Sequence, residues 1–83
     1  MVKAYIKIND LDDIIRLNKT SMGCNYDLSL CTDSKIFDPK SLLMLFELKP
    51  GSIFPLVAPI TKYNEKENFL QKFGGMVVSY DFY

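Results

Sequence analysis

The residues able to do chemistry in this chain are few and scattered. Cys24 and Cys31 are the thiols, Asp10, Asp12 and Asp13 form an acid cluster, and Lys40-Ser41 sets a hydroxyl beside an ammonium. Histidine is absent. It is the commonest general acid–base and the commonest metal ligand. Without it, Ser–His and Cys–His pairs and Cys/His zinc sites cannot be built, and two cysteines do not make a four-cysteine site within one chain. Asp, Glu, Lys, Tyr and Cys could still support chemistry, but no spacing assembles a nucleophile with a base. The expectation is a protein that is not an enzyme and takes no cofactor.

Each group has a plainer use. Cys24 and Cys31 are seven apart in a segment that alternates like a strand. Extended, that separation spans roughly 23 Å, far beyond the ~7 Å a disulfide allows between Cα atoms. Two reduced cysteines acting as small semi-apolar fillers is the favoured reading over a redox or metal role. Asp12 and Asp13 diverge around a helix, so capping and dipole stabilisation outweigh a divalent-metal site.

The hydropathy pattern sets the elements that must hold these groups. Val2, Ala4, Ile6 and Ile8 alternate with Lys3, Tyr5 and Lys7, the pattern of a half-buried strand. Asp10 then caps a helix from Leu11, with Asp13 as the capping-box acid. Leu11, Ile14, Ile15 and Leu17 or Met22 should form its buried stripe, Asp12 and Arg16 an i,i+4 pair, and Gly23 its end. Cys24–Cys31 reads as a second strand, Thr32–Lys35 as a turn, and Ile36-Phe37 as a third strand completing a hairpin. Asp38-Pro39 predicts a helix start, an N-cap acid followed by proline, with about two turns before Pro50-Gly51. Ile53–Ala58 reads as a buried fourth strand, although Pro55 is unusual inside one. Asn64–Glu67 carries a cap-and-box pattern, and Phe69, Leu70 and Phe73 the apolar face of a last helix closed by Gly74-Gly75. Met76–Tyr83 follows as a fifth strand or an apolar tail.

The order β-α-β-β-α-β-α, plus that extension, predicts one α+β domain over residues 1–83. Its architecture would be an open-faced two-layer sandwich, helices on one face of an antiparallel sheet. With this order and length, the chain resembles the phosphocarrier protein HPr of the sugar phosphotransferase system. The segment Asp38-Pro39-Lys40-Ser41-Leu42-Leu43-Met44-Leu45-Phe46-Glu47-Leu48-Lys49-Pro50-Gly51 looks like the family's Lys-Ser-hydrophobic helix and the turn after it. The likeness spans roughly residues 2 to 73.

The resemblance implies a phosphoryl-accepting histidine at the start of the first helix, with an arginine close behind. This chain has Ile8-Asn9-Asp10-Leu11-Asp12-Asp13 there. Asp10 is nearest the missing histidine, and carboxylates repel an incoming phosphoryl dianion. A divergent member that cannot carry phosphohistidine is therefore expected. Pro55 falls in a strand that is central in the family, so a bulge or altered register is expected there.

Ser41 matches the serine that a dedicated kinase phosphorylates in Gram-positive relatives, where the product regulates transcription. A first-turn serine beside an Asp38 cap is its ordinary reading. Lys40, Leu42, Leu43, Phe46 and Leu48 match the family's docking patch, implying protein partners of the phosphotransferase or transcription-regulator kind. Core packing is the alternative for the apolar four. Met76–Tyr83, residues 76–83, could add a strand to its own sheet or to a neighbour's, giving a homodimer.

Ten basic and ten acidic side chains give no net charge and no field for nucleic acid or an anionic membrane. The Lys3-Tyr5-Lys7 face accordingly reads as a solvated strand face. No apolar run approaches the ~20 residues of a membrane helix, and Met1–Lys7 lacks a signal-peptide core. The cytoplasm is the expected compartment.

Overall fold

A computed structural model describes residues 1–83. The elements are β1 (Val2–Ile8), α1 (Leu11–Met22), β2 (Ser29–Cys31), β3 (Ile36–Phe37), α2 (Leu42–Leu45), β4 (Ser52–Ala58), α3 (Tyr63–Phe73) and β5 (Val77–Phe82). A 3₁₀ turn, Gly74–Met76, joins α3 to β5. The five strands form one sheet in the order β3-β2-β4-β1-β5, antiparallel throughout.

The alternation in β1 decides the layers. Val2, Ala4, Ile6 and Ile8 are fully buried beneath the helices, while Lys3, Tyr5 and Lys7 lie on the other face. Ile14 and Leu17 of α1, Leu45 of α2, and Phe69 and Phe73 of α3 join them in one core with Leu30, Leu56 and Ile60. Each fully buried large side chain contributes about 1.5–3 kcal/mol, so this core is the main stabilising term. The result is an α+β fold with three helices on one face of an open antiparallel sheet. No helix is long and apolar enough to cross a membrane.

Several expectations need correction. The buried stripe of α1 is Ile14, Leu17, Asn18 and Ser21, while Leu11 and Met22 are exposed. The 14-17-18-21 spacing is the better helical stripe, and Asn18 can be buried because its amide donates to the Pro39 carbonyl at 3.1 Å. Asp12 and Arg16 form no ion pair; the two pairs present are Lys35–Glu47 and Lys66–Glu67. The segment from Cys24 keeps its alternation, with Cys24, Leu28 and Leu30 buried, but only Ser29–Cys31 is paired as strand. Both cysteines are free thiols.

Asp38-Pro39 does not start a helix. The Asp38 carboxylate accepts from the Lys40 N–H at 2.9 Å, and its carbonyl from the Ser41 N–H at 3.0 Å. That is a proline-containing turn, for which Asp-Pro is equally suited. Ser41 is the N-cap of α2, which is one turn long rather than two. On α3, Lys62 occupies the N-cap position and no side chain caps, so Asn64 lies inside the helix.

Pro55 produces no bulge. The β1–β4 register runs unbroken from Val2↔Ala58 to Ile8↔Ser52, with Tyr5 opposite Pro55. Met1 and Tyr83 exchange both backbone hydrogen bonds, which sets the alternation across β1. The backbone groups of Tyr5 face β5, those of Ile6 face β4, and Pro55 turns its nitrogen toward β2. The β2–β4 ladder stops at Leu30↔Leu56, so Pro55 lies just past its end. The sheet's irregularity lies instead between β1 and β5, where the register shifts between Tyr5↔Ser79 and Ile6↔Val77.

The terminal segment is a strand in its own sheet. β5 pairs with β1 and forms one edge; β3 forms the other. The turn before β5 needs Gly74, whose φ of +44° disfavours a side chain.

Candidate functional site

Two places answer to the expected sites: the start of α1 and the surface around α2. At the first, Asp10 and Asp13 act together. The Asp13 N–H donates to Asp10 Oδ1 at 3.0 Å, and the Asn9 N–H donates to Asp13 Oδ2 at 2.8 Å. The first bond occupies one of the N–H groups that a helix start would offer to an anion, and the second reaches past the N-cap to fix the chain entering the helix. Asp12, exposed beside them, adds negative charge. The start of α1, where a phosphoryl site would be sought, is thus occupied by its own carboxylates.

At the second, sequence neighbours take different roles. Ser41 is half-buried, and its hydroxyl accepts from the Met44 N–H at 3.4 Å. Lys40 does not reach over Ser41. Its ammonium donates to the Cys24 carbonyl at 3.0 Å and the Tyr26 carbonyl at 2.8 Å, holding the irregular segment after α1. Leu42 is partly buried against the core, and Leu48, at 5% exposure, belongs to it. Leu43 and Phe46 stand outside at 82% and 52% exposure. The one-turn helix explains the split. Leu45 and Leu48 face inward, so Leu43 and Phe46 must face outward.

The rim is charged and partly tied down. Glu47 pairs with Lys35 at 2.9 Å, and the Lys35 ammonium lies 4.7 Å from the centre of the Phe37 ring. This joins the hairpin turn to the end of α2. A shallow groove of about 320 Å³ runs between them, lined in part by Thr32, Phe37, Glu47 and Lys49. It is open and mixed in character, unlike the enclosed, mostly apolar pockets that hold small molecules.

Behind this surface, Tyr26 rests against Phe69, ring centres 6.2 Å apart. Burial, then its contact with Cys24, holds the Tyr26 phenol well above the usual tyrosine range. Tyr26 therefore stays neutral and acts as packing.

A lysine–aromatic cluster lies apart from both places. The Lys66 side chain is buried, with its ammonium 4.1 Å from the centre of the Tyr63 ring, 5.0 Å from Tyr80 and 5.4 Å from Phe82. Its carboxylate partner is Glu67 at 3.0 Å. The signal was available: Lys66 lies on the same helical face as Phe69 and Phe73.

No protein-family model, curated protein or solved structure matches the chain.

Proposed function

We propose that this chain is a non-catalytic, HPr-like interaction domain that docks on partner proteins through Leu43 and Phe46. The element order β-α-β-β-α-β-α supports the HPr-like reading. The observation that carries the docking role is the outward stance of Leu43 and Phe46, two large apolar side chains left in water on one helical turn. The carboxylates of Asp10 and Asp13 at the start of α1 argue against phosphoryl transfer from phosphoenolpyruvate. Such a domain would work in the cytoplasm, where its free thiols stay reduced.

Regulation at Ser41 belongs to the same reading. A phosphoryl group there would add charge and acceptor oxygens where a neutral hydroxyl now caps Met44. Incubation with an HPr kinase and ATP, read by intact mass, tests this. An unshifted mass under conditions that modify a true HPr removes the switch.

The docking role is tested with immobilised phosphotransferase-system proteins and an HPr-responsive transcription regulator. Binding by the native chain, weakened at least tenfold by Phe46→Asp and by Leu43→Asp (about 1.4 kcal/mol per tenfold), is expected. Ile36→Asp on the hairpin should leave it unchanged. Absence of binding to every such partner overturns the HPr-like role. A small oligomerisation module unrelated to sugar phosphotransfer is the second reading, favoured by the uncovered edge of β5.

A further inference from the structure

We propose that β5 pairs antiparallel with β5 of a second copy of this chain, about a two-fold axis at Tyr80, joining two sheets into one. This gives the oligomerisation alternative a definite geometry and is independent of any docking role for Leu43 and Phe46.

The edge itself comes first. Because Met1 and Tyr83 exchange both backbone hydrogen bonds, alternation turns the backbone groups of Ser79 and Asp81 toward β1. Those of Tyr80 and Phe82 turn outward, where no strand lies. Soluble proteins usually protect such an edge with lysine, proline, a bulge or a very short strand. β3, the opposite edge, has only two residues. β5 has six residues with neither lysine nor proline, and its one bulge, at Val78, leaves Ser79–Phe82 in regular register. Its one charge, Asp81, is bonded on the open face by the Tyr5 hydroxyl at 3.2 Å.

The side chains select the occupant and the register. Tyr80 and Phe82 lie opposite Ala4 and Val2, on the helix side; Ser79 and Asp81 lie opposite Tyr5 and Lys3, on the open side. Centring the pair on Tyr80 sets Tyr80 against its own copy, an aromatic cross-strand contact within the regular part of the strand. On the open side each Asp81 then meets a Ser79 hydroxyl. Centring one residue later would set Asp81 against Asp81, a like-charge pair that costs stability. An antiparallel edge is its own backbone complement, and this register makes its side chains complementary too.

Position 79 reads out the register. Ser79 is exposed, so both variants below should fold, which circular dichroism checks. Ser79→Lys sets two ammonium groups opposite the two Asp81 carboxylates; Ser79→Asp sets acid opposite acid twice. Sedimentation equilibrium across a concentration series should show a dimer for the full chain. The dissociation constant should fall roughly 2- to 30-fold for Ser79→Lys and rise comparably for Ser79→Asp, since each cross-strand charge pair shifts it modestly. A monomer at all concentrations, as expected of an edge that takes a foreign extended segment, overturns the proposal. So does a dimer indifferent to the sign of charge at position 79, which would point to another face.

Discussion

Lys66 of α3 and Tyr80 of β5 meet as cation and ring, with the ammonium 5.0 Å from the ring centre and 3.5 Å from the hydroxyl it donates to. Tyr63 and Phe82 complete an aromatic surround, and Glu67 supplies the counter-charge. A lysine withdrawn from water needs such partners. The consequence is mechanical. Most β5 side chains are exposed, so beyond its ladder with β1 this cluster is the main tie between the strand and the helical layer.

Replacing Lys66 with methionine keeps the apolar stem and removes the charge. Amide exchange should then speed up several-fold across Val77–Phe82, while β4, enclosed between β1 and β2, keeps its protection. Exchange measured by NMR checks this. Unchanged protection in β5 would show that backbone pairing alone holds the strand.

The same pair sets a pH dependence whose sign follows from the two shifts. The hydrogen bond to Glu67 is the chief cause raising the Lys66 pKa above its ordinary 10.5, and the bond to Lys66 is the chief cause lowering Glu67 below its ordinary 4.5. The lowered carboxylate stabilises the fold above 4.5, and that contribution is lost as pH falls through the lower folded value. The raised ammonium stabilises it below 10.5, and is lost as pH rises through the higher folded value. Urea midpoints of the native chain and Glu67→Gln should therefore differ at neutral pH and converge in acid. A gap that stays constant through the acid range would mean that Glu67 acts by packing rather than by charge.

What was legible in the sequence was local. The alternation of β1, the Asp10–Asp13 box and the Thr32–Lys35 turn each depend on neighbours a few residues away, and the structure keeps all three. Asp38-Pro39 failed because the same dipeptide suits a helix start and a turn. What separates the two here includes the Asn18 bond to the Pro39 carbonyl, which comes from α1. The sequence marks Lys40–Leu48 as one apolar segment, but its division into buried Leu48 and exposed Phe46 depends on α2 being one turn long. Lys66 was hidden in a charged run, since two of its three rings come from a strand that the sequence left unplaced.

The Asp10–Asp13 box predicts its own cost of removal. Asp10→Ala should lower stability by about 1 kcal/mol, whereas Asp10→Asn, an equally good N-cap, should cost much less. Asp13→Ala, which frees the Asn9 N–H, should weaken the helix start by a similar amount. Urea unfolding of the three variants decides. If Asp10→Ala and Asp10→Asn are equally unstable, the charge rather than the hydrogen bond holds α1.

Pro55 gives the sharpest check on the sheet, because its effect depends on which way one nitrogen points. The β1–β4 register passes through Tyr5↔Pro55 undisturbed, so that nitrogen must face β2. Extending the β2–β4 register by one step sets Pro55 opposite Cys31, where the ladder stops. Pro55→Val would restore an N–H able to donate to the Cys31 carbonyl, worth about 0.5–1.5 kcal/mol. Against this stands the loss of proline's restraint on the unfolded chain, about 0.4–1 kcal/mol. Overall stability should thus change by less than about 1 kcal/mol, with the two effects nearly cancelling. The decisive readout is the new amide at position 55, which should be slow to exchange. Phe54→Pro is the opposite case. Its N–H faces Ile6 of β1, so losing it should break the central ladder and leave a buried carbonyl unpaired, at about 1–3 kcal/mol. A freely exchanging amide in Pro55→Val, or a Phe54→Pro chain of native stability, would mean that the strand faces the other way.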